Sequence, residues 1–382
     1  MPSRTLIAVF LTLLALLHAY IGWRLLPALP GPFIIGWLGA FLLLASCALV
    51  PAGFVAFGVR RQPLSDRLAW TGWTAMGLFS TLLLLTLLRD ALLLLAPLFG
   101  VPTPAFSAGS ALVVPLLAVL ATLLGFFNAR RLAQVVEVRI PIRDLPLALQ
   151  GFTVVQISDI HVGPTIKRGY LESIVRSVNA QGADMIAITG DLVDGSVRAL
   201  APHTAPLVAL AARHGVYFVT GNHEYYSDAN GWIAEIRRLG LTVLMNEHVL
   251  LSHDGATVLV AGVTDFMAHR FDEAHRSDPH AALAGAPHDA AVKLLLAHQP
   301  RSCVAAADAG FDLQLSGHTH GGQFFPWNLF VPIQQPYTSG LNRLQQLWVY
   351  TSRGTGYWGP PKRLAAPSEI TRLQLVLETG SV

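Results

Sequence analysis

The sequence predicts a membrane protein in two parts: α-helical membrane segments over residues 1–128, then an α/β domain built on a central β-sheet system. Three observations lead to this prediction. The 382-residue chain is 53% hydrophobic and only 13% charged, against roughly 25% charged residues in ordinary globular domains. Residues 1–128 contain six arginines, two aspartates and no lysine, whereas residues 129–382 contain 20 basic and 21 acidic residues. After residue 131, short β-rich runs alternate with helical stretches, which is typical of α/β domains.

Four stretches of the first part are apolar and long enough to cross the roughly 30 Å hydrocarbon core of a bilayer. They cover residues 6–23, 33–57, 68–88 and 108–127, and Pro115 is tolerated in the last of them as a kink. Residues 91–99 are apolar but short, so they are expected to lie at the membrane interface or to re-enter the membrane. The first span is predicted to be a retained helix, with a cleaved signal peptide as the alternative, because no small-x-small cleavage site follows it.

The basic residues predict the orientation of these spans, since cytoplasmic loops are enriched in lysine and arginine. With both termini inside, the cytoplasmic residues are Arg4, Arg60, Arg61, Arg67, Arg130 and Arg131. Only Arg24 and Arg89 then lie outside, so the second domain is expected in the cytoplasm. His18 is the one ionisable residue well inside a span, and it is expected to be hydrogen-bonded within its helix. This scarcity favours an anchor or a lipid-binding platform over a transporter.

The second domain is predicted from runs of β-branched and aliphatic residues and from helical spacing. Strands are expected at 135–140, 152–157, 185–189, 216–219, 257–262, 293–297, 313–316, 347–351 and 370–377. Helices are expected at 170–179, 231–239 and 302–309, the first from the spacing of its apolar residues. The predicted boundaries are a membrane region at 1–128, a linker with a first strand at 129–150, and the main domain at 151–382.

Polar side chains follow five of these strands, at the strand end where open α/β sheets bind ligands. The potential metal ligands among them are Asp159, His161, Asp191, Asn222, His298, His318 and His320. All offer nitrogen or oxygen and none offers a thiolate, which suits Mn, Fe, Zn or Co. Seven ligands exceed the needs of one tetrahedral ion and suit two ions that share a carboxylate. A buried core histidine is the alternative for His298, which follows an apolar run alone.

Taken in order, these segments resemble the five signatures of the calcineurin-like metallophosphoesterases. They are Asp159-x-His161, Gly190-Asp191-x-x-Asp194, Gly221-Asn222-His223-Glu224, His298 and Gly317-His318-x-His320. The resemblance covers residues 151–377 and implies an αββα fold, with two packed β-sheets flanked by helices. The sequence His-Gly-Gly-Gln ending at Gln323 and the glycine-rich stretch 352–361 resemble the membrane-linked bacterial branch of the family. The chain is therefore expected in the bacterial inner membrane.

The resemblance also implies a role for each residue of the site. One ion would be held by Asp159, His161, Asp191 and His320, and the other by Asp191, Asn222, His298 and His318, so that Asp191 bridges them. His223 would be the general acid, and Glu224 the acidic partner that orients it. Asp194 would anchor a ligand imidazole. Arg353 is expected to bind a substrate phosphate, with a turn-stabilising arginine as the alternative.

The predicted function is that of a membrane-anchored hydrolase of phosphoric esters that uses two divalent metal ions and a metal-activated water. Its expected substrate is a phosphorylated small molecule or, more specifically, a phosphodiester or pyrophosphate linked to a membrane lipid. The balanced charge of residues 129–382 disfavours nucleic acid, which binds to basic faces. The alternative is a membrane sensor or scaffold that binds a ligand without turnover. A missing metal ligand would favour that alternative, and none of the seven is missing.

Overall fold

A computed structural model describes residues 3–59, 61–287 and 289–378; Arg60, used above to predict the orientation, lies outside the described residues. The chain divides into two compact units. The first, a helical unit, contains the residues up to Phe127 together with Gly359–Lys362. The second, an α/β unit, contains Asn128–Trp358 and the residues from Arg363 onward.

The helical unit is built from four helices, each long and apolar enough to cross a membrane. They are α1 (Arg4–Leu25), α2 (Phe33–Val55), α3 (Leu64–Leu95) and α4 (Thr103–Arg130). Most of their large apolar side chains are exposed, as expected for helices whose outer faces meet lipid rather than a protein core. The chain is therefore a membrane protein with the predicted number of spans.

Residues 91–99 do not form the separate interfacial segment that was expected. They continue α3 and end in a 3₁₀ turn, Ala96–Phe99. The helix continues because the charged pair inside it has partners: Arg89 Nε donates to Ser110 Oγ at 2.9 Å, and Arg24 Nε donates to Asp90 Oδ2 at 2.7 Å. With their charges satisfied by neighbouring helices, these residues need not end the span.

Two buried polar side chains of the helical unit have hydrogen-bond partners within that unit. His18 lies 2.8 Å from Leu14 O through Nδ1 and 3.0 Å from Ser46 Oγ through Nε2, as the sequence led us to expect. The amine of Lys362 donates to Gly77 O at 3.1 Å and also to Thr81 Oγ1. Lys362 is distant in sequence from these helices but belongs to the same unit.

The α/β unit contains two six-stranded sheets. In the first sheet the strands lie in the order β1 (Gln134–Ile142), β12 (Glu369–Leu377), β2 (Thr153–Ile157), β3 (Met185–Ile188), β4 (Val216–Phe218) and β5 (Thr242–Val243). In the second the order is β10 (Gly340–Leu344), β11 (Leu347–Thr351), β9 (Leu313–Ser316), β8 (Val292–Leu296), β7 (Ala256–Gly262) and β6 (Glu247–His253). Residues 134–142 are thus an edge strand of the first sheet.

The two sheets pack face to face and helices cover their outer faces. Aliphatic residues of both sheets form the central core, including Val154 and Met185 from one and Val260 and Leu294 from the other. The remaining helices are α5 (Arg168–Asn179), α6 (Val197–Thr204), α7 (Asn222–Ser227), α8 (Ala229–Arg238), α9 (Pro279–Ala282) and α10 (Cys303–Ala309). Helices α5, α6 and α8 pack on the first sheet, and α9 and α10 on the second. The predicted αββα fold is confirmed.

Parallel pairing brings the functional segments to common sheet edges. Strands β2, β3 and β4 are parallel neighbours, so the segments that follow them leave the first sheet at the same edge. Strands β8 and β9 are likewise parallel in the second sheet. The five polar segments identified in the sequence follow these five strands.

Candidate metal centre

The side chains that follow the five strands form three groups that could hold a metal ion: one joins His161 to Asp194 and His223, and the other two, here called the two clusters, consist of predicted ligands alone. The first cluster contains Asp159, His161 and His320, and the second contains Asp191, His298 and His318. Within each cluster, one donor atom from every residue lies within 4.8 Å of the others. Asp159, Asp191 and His298 are almost completely buried, which is costly for charged groups unless they are paired or bind a metal.

Asp191 belongs to the second cluster and also faces the first. Its Oδ2 is 3.2 Å from His298 Nε2 in the second cluster and 3.9 Å from His161 Nε2 in the first. Its Oδ1 accepts a hydrogen bond of 2.8 Å from the backbone N–H of His223, which fixes the carboxylate plane. One carboxylate is therefore in position to be shared by two ions.

The residues present fit two divalent ions. Donors that each lie about 2.1 Å from one ion are about 3 to 3.5 Å apart. The Nε2 atoms of His161 and His320 are 3.1 Å apart, and His318 Nδ1 is 3.2 Å from His298 Nε2. Asn222 Oδ1 is buried and has no hydrogen-bond partner among the described residues. An amide oxygen without a partner at this place is accounted for if it binds a metal.

The backbone of the site adopts an uncommon conformation at five of the potential ligands. The φ angles are positive, between 51° and 70°, at Asp159, His161, Asp191, His318 and His320. Such left-handed conformations are unfavourable for residues with a side chain, and they persist where the surrounding structure holds them, as at active sites. The surrounding fold therefore holds these five side chains in place at a cost in stability.

Close backbone packing beside the first cluster requires glycine at position 317. A Cβ atom there would lie 2.0 Å from Ser158 Oγ and 2.1 Å from Asp159 Oδ2. The next residue, His318, donates its backbone N–H to Asp159 Oδ1 at 2.9 Å. Gly317 thus allows the loop after β9 to approach the carboxylate of Asp159.

Replacing Gly317 by alanine is expected to displace Asp159 and to reduce bound metal, because no space exists for the methyl group. The strain should also lower the free energy of unfolding by about 1–3 kcal/mol. Metal analysis and thermal unfolding of the purified chain measure both effects. Gly169→Ala is the matched control, since nothing lies within 4 Å of a Cβ at that position. A Gly317→Ala protein with full metal content would contradict this interpretation.

Hydrogen bonds orient the imidazole rings. His298 Nδ1–H donates to Thr189 O at 2.7 Å, which leaves the lone pair of Nε2 available to a metal. His161 Nδ1–H donates to Asp194 Oδ1 at 3.0 Å, with the same consequence. Such outer partners fix the tautomer and the ring orientation of metal-binding histidines.

His223 stands beside the clusters, and its Nδ1 donates to Asp194 Oδ1 at 2.6 Å. Burial acts to lower the pKa of His223, but the negative charges of Asp191 and Asp194 outweigh it and raise the pKa to about 9. Metal ions bound to Asp191 would neutralise its charge and so reduce its effect on the pKa of His223. Asp194 would still be paired with His223. The protonated imidazole has the properties of a proton donor.

The structure corrects the role expected for Glu224. Its carboxylate does not orient His223; it accepts backbone N–H groups of Gly221 at 2.6 Å, Asp191 at 3.0 Å and Leu192 at 2.8 Å. Glu224 therefore fixes the loop that carries Asp191. The side chain that orients His223 is Asp194, whose carboxylate accepts the hydrogen bond from His223 Nδ1.

Two arginines lie near the first cluster. Arg353 forms an ion pair with Glu369, with Nε and Nη2 at 2.7 and 2.6 Å from Oε2, so its charge already has a carboxylate partner. Arg363, which the sequence did not single out, is almost fully buried. It donates to His320 O at 3.0 Å and lies 3.1 Å from His320 Nδ1. No motif or periodicity marks Arg363, so only its position in the fold reveals this support for His320.

Comparison with known proteins agrees with this geometry. The calcineurin-like phosphoesterase family model matches residues 152–322. An uncharacterized metallophosphoesterase of Campylobacter jejuni is 31% identical over 86% of this chain and 86% of its own length. The chain belongs to the calcineurin-like metallophosphoesterase family. The matched residues contain all seven of the potential metal ligands together with His223.

Two further relatives of this metallophosphoesterase are named as transmembrane proteins. Transmembrane proteins with a metallophosphoesterase domain from Bos taurus and Danio rerio are 40% and 39% identical, over 68% and 66% of this chain. The chain spans 62% and 59% of their respective lengths. Among solved structures, a sulfate thiohydrolase of Thermus thermophilus matches 61% of this chain and 57% of its own at 15% identity, with a TM-score of 0.38.

Proposed function

We propose that this protein is a membrane-anchored hydrolase of phosphoric esters that works with two divalent transition-metal ions, drawn from Mn, Fe, Zn and Co. The observation that carries the proposal is the pair of donor clusters, with Asp191 of the second cluster also close to His161 of the first. In the proposed arrangement Asp159, His161 and His320 hold one ion, and Asn222, His298 and His318 hold the other, with Asp191 shared. Family membership supports this assignment.

The chain's own residues supply the rest of the chemistry. When bound, the two ions would polarise the phosphoryl oxygens and make a water molecule a stronger nucleophile at neutral pH. His223 is placed to give a proton to the leaving oxygen, since its Nδ1 is held by Asp194 and its ring is still partly exposed. Asp194 stabilises the protonated ring before the transfer and holds it in orientation.

The proposed substrate is a phosphodiester or pyrophosphate attached to a membrane lipid, and the proposed location is the cytoplasmic side of a bacterial inner membrane. Four spanning helices keep the α/β unit near the bilayer, which raises the local concentration of lipid substrates. Arg61, between the second and third helices, and Arg67, in the first turn of the third, support the cytoplasmic orientation. The near-equal numbers of acids and bases after residue 128 support a substrate other than nucleic acid.

Hydrolysis assays on the full chain in detergent test this function. The substrates are 4-nitrophenyl phosphate, bis(4-nitrophenyl) phosphate and a lipid-linked nucleotide pyrophosphate, each with protein treated with chelator and then reloaded with Mn²⁺ or Zn²⁺. We expect activity that is lost on chelation and restored by metal, with diester or pyrophosphate cleaved faster than monoester. Metal-loaded protein without turnover of any of the three compounds would favour the sensor or scaffold instead.

A further inference from the structure

The segment between the metal centre and β10 exposes an unusual amount of apolar surface. Residues 325–333, here called the apolar loop, have five large side chains with 46–78% of their surface exposed: Phe325, Trp327, Leu329, Phe330 and Ile333. Soluble proteins rarely expose contiguous apolar patches of this kind unless the patch binds something. The exposed side chains of the apolar loop therefore mark it as an interaction surface.

The backbone of the apolar loop is firmly held, so the exposure of its side chains is a feature of folded structure. Gln335, at its carboxyl end, is 3% exposed and donates to Gln299 Oε1 at 3.1 Å, while Arg301 N–H donates to Gln335 Oε1 at 3.2 Å. At the other end, a Cβ on Gly322 would lie only 2.2 Å from the Cα of Asn328. The backbone of the loop is thus packed at Asn328 and just after its last residue, at Gln335, while its large apolar side chains are exposed.

Exposed aromatic rings also lie around the proposed general acid. The side chain of Gln323 forms two hydrogen bonds with the backbone of Trp358. Gln323 Nε2 donates to Trp358 O at 2.8 Å, and Trp358 N–H donates to Gln323 Oε1 at 2.9 Å. The rings of Trp358 and Tyr226 lie 5.5 and 5.2 Å from the ring of His223, and Phe271 lies 5.7 Å from Tyr226. Because Gln323 lies just before residue 325, the apolar loop is directly connected to the rim of the metal centre.

We propose that the apolar loop docks on the surface of a lipid bilayer and so brings phosphorylated headgroups to the metal centre. The same chain contains four helices suited to spanning a membrane, so a bilayer is always within reach of the α/β unit. Tryptophan favours the headgroup region, and tryptophan, phenylalanine and leucine form the apolar face of segments that lie in the membrane interface. Residues 313–368 contain no aspartate or glutamate, so no carboxylate of this stretch repels anionic lipids.

This inference deepens the proposed function and depends on it only for its catalytic consequence. Docking itself requires neither bound metal nor turnover. Failure of the hydrolysis assays would therefore leave the docking measurement unaffected, and the two outcomes can be distinguished.

Spin labels on the full chain in vesicles of phosphatidylethanolamine and phosphatidylglycerol test the docking. Leu329→Cys and Ile333→Cys are labelled separately after replacement of Cys47 and Cys303, the two native cysteines. Val208→Cys is the control, because this apolar residue of the same unit is also exposed, by 67%. We expect the labels at 329 and 333 to gain collisions with oxygen and to lose collisions with a water-soluble nickel chelate, relative to the label at 208.

Two results would overturn the proposal. Labels at 329 and 333 that meet the nickel chelate as freely as the label at 208 would show that the loop stays in water. Labels that lose collisions with both oxygen and the chelate would show burial against protein, either a second copy of the chain or another partner. Using two positions guards against a local effect of one substitution.

Discussion

Replacing Asp191 by asparagine is expected to reduce hydrolysis by about 10³-fold, because charge stabilisation by a metal pair is worth several kcal/mol. Asp191 Oδ2 is close to donors of both clusters, 3.2 Å from His298 Nε2 and 3.9 Å from His161 Nε2. Asparagine keeps the shape of the side chain and an oxygen that can accept from the His223 N–H, but it lacks the negative charge. Steady-state kinetics with bis(4-nitrophenyl) phosphate measures the loss.

The control for Asp191→Asn is an equally conservative change at a carboxylate outside the centre. Asp312 accepts the backbone N–H of Lys293 at 2.7 Å, and Asp312→Asn should leave activity within a few-fold of the original chain. Full activity of the Asp191→Asn protein would show that this carboxylate does not bridge the ions.

Replacing His223 by glutamine is expected to slow hydrolysis by about 10²–10⁴-fold, the usual contribution of a general acid. The loss should depend on the leaving group. A nitrophenolate leaves readily without a proton, whereas an alkoxide needs one, so the loss should be larger for an alkyl ester. Metal content should stay near that of the original chain, because His223 lies outside both ligand clusters in the proposed arrangement.

Comparing the two leaving groups separates acid catalysis from a structural role for His223. Equal losses for the nitrophenyl and the alkyl ester, or a loss of metal, would contradict the role as proton donor. Asp194→Asn should also slow the alkyl ester more than the nitrophenyl ester, since Asp194 Oδ1 accepts from His223 Nδ1 at 2.6 Å. Because Asp194 also holds His161, this variant is expected to reduce metal content as well.

The sequence predicted the central strands of the α/β unit and the edge strand β1, and missed β5, β6 and β10. All three are edge strands: β5 is an edge of the first sheet, and β6 and β10 are the two edges of the second. An edge strand is half exposed, so its residues need no continuous apolar run. The central strands β2 and β3 are buried at every residue, which gives the uninterrupted apolar run that made them predictable.

The potential metal ligands could be identified from the sequence, but their supporting contacts could not. Each ligand follows a strand, and the parallel order of the strands brings the ligands together. Which backbone group a carboxylate accepts depends on loop conformation, and so the contacts of Glu224 were not foreseen. The position of Arg363 next to His320 depends on a contact across 43 residues of sequence, and local patterns contain no information about such contacts.

The number of metal ions bound per chain tests the dimetal centre most directly. Full-length protein is purified in detergent, loaded with Mn²⁺ or Zn²⁺, freed of excess metal and examined by inductively coupled plasma mass spectrometry. We expect about two ions per chain, with about one remaining in His161→Ala and in His298→Ala, which each remove a ligand from a single cluster. One ion or none in the loaded original chain would contradict the two-ion centre.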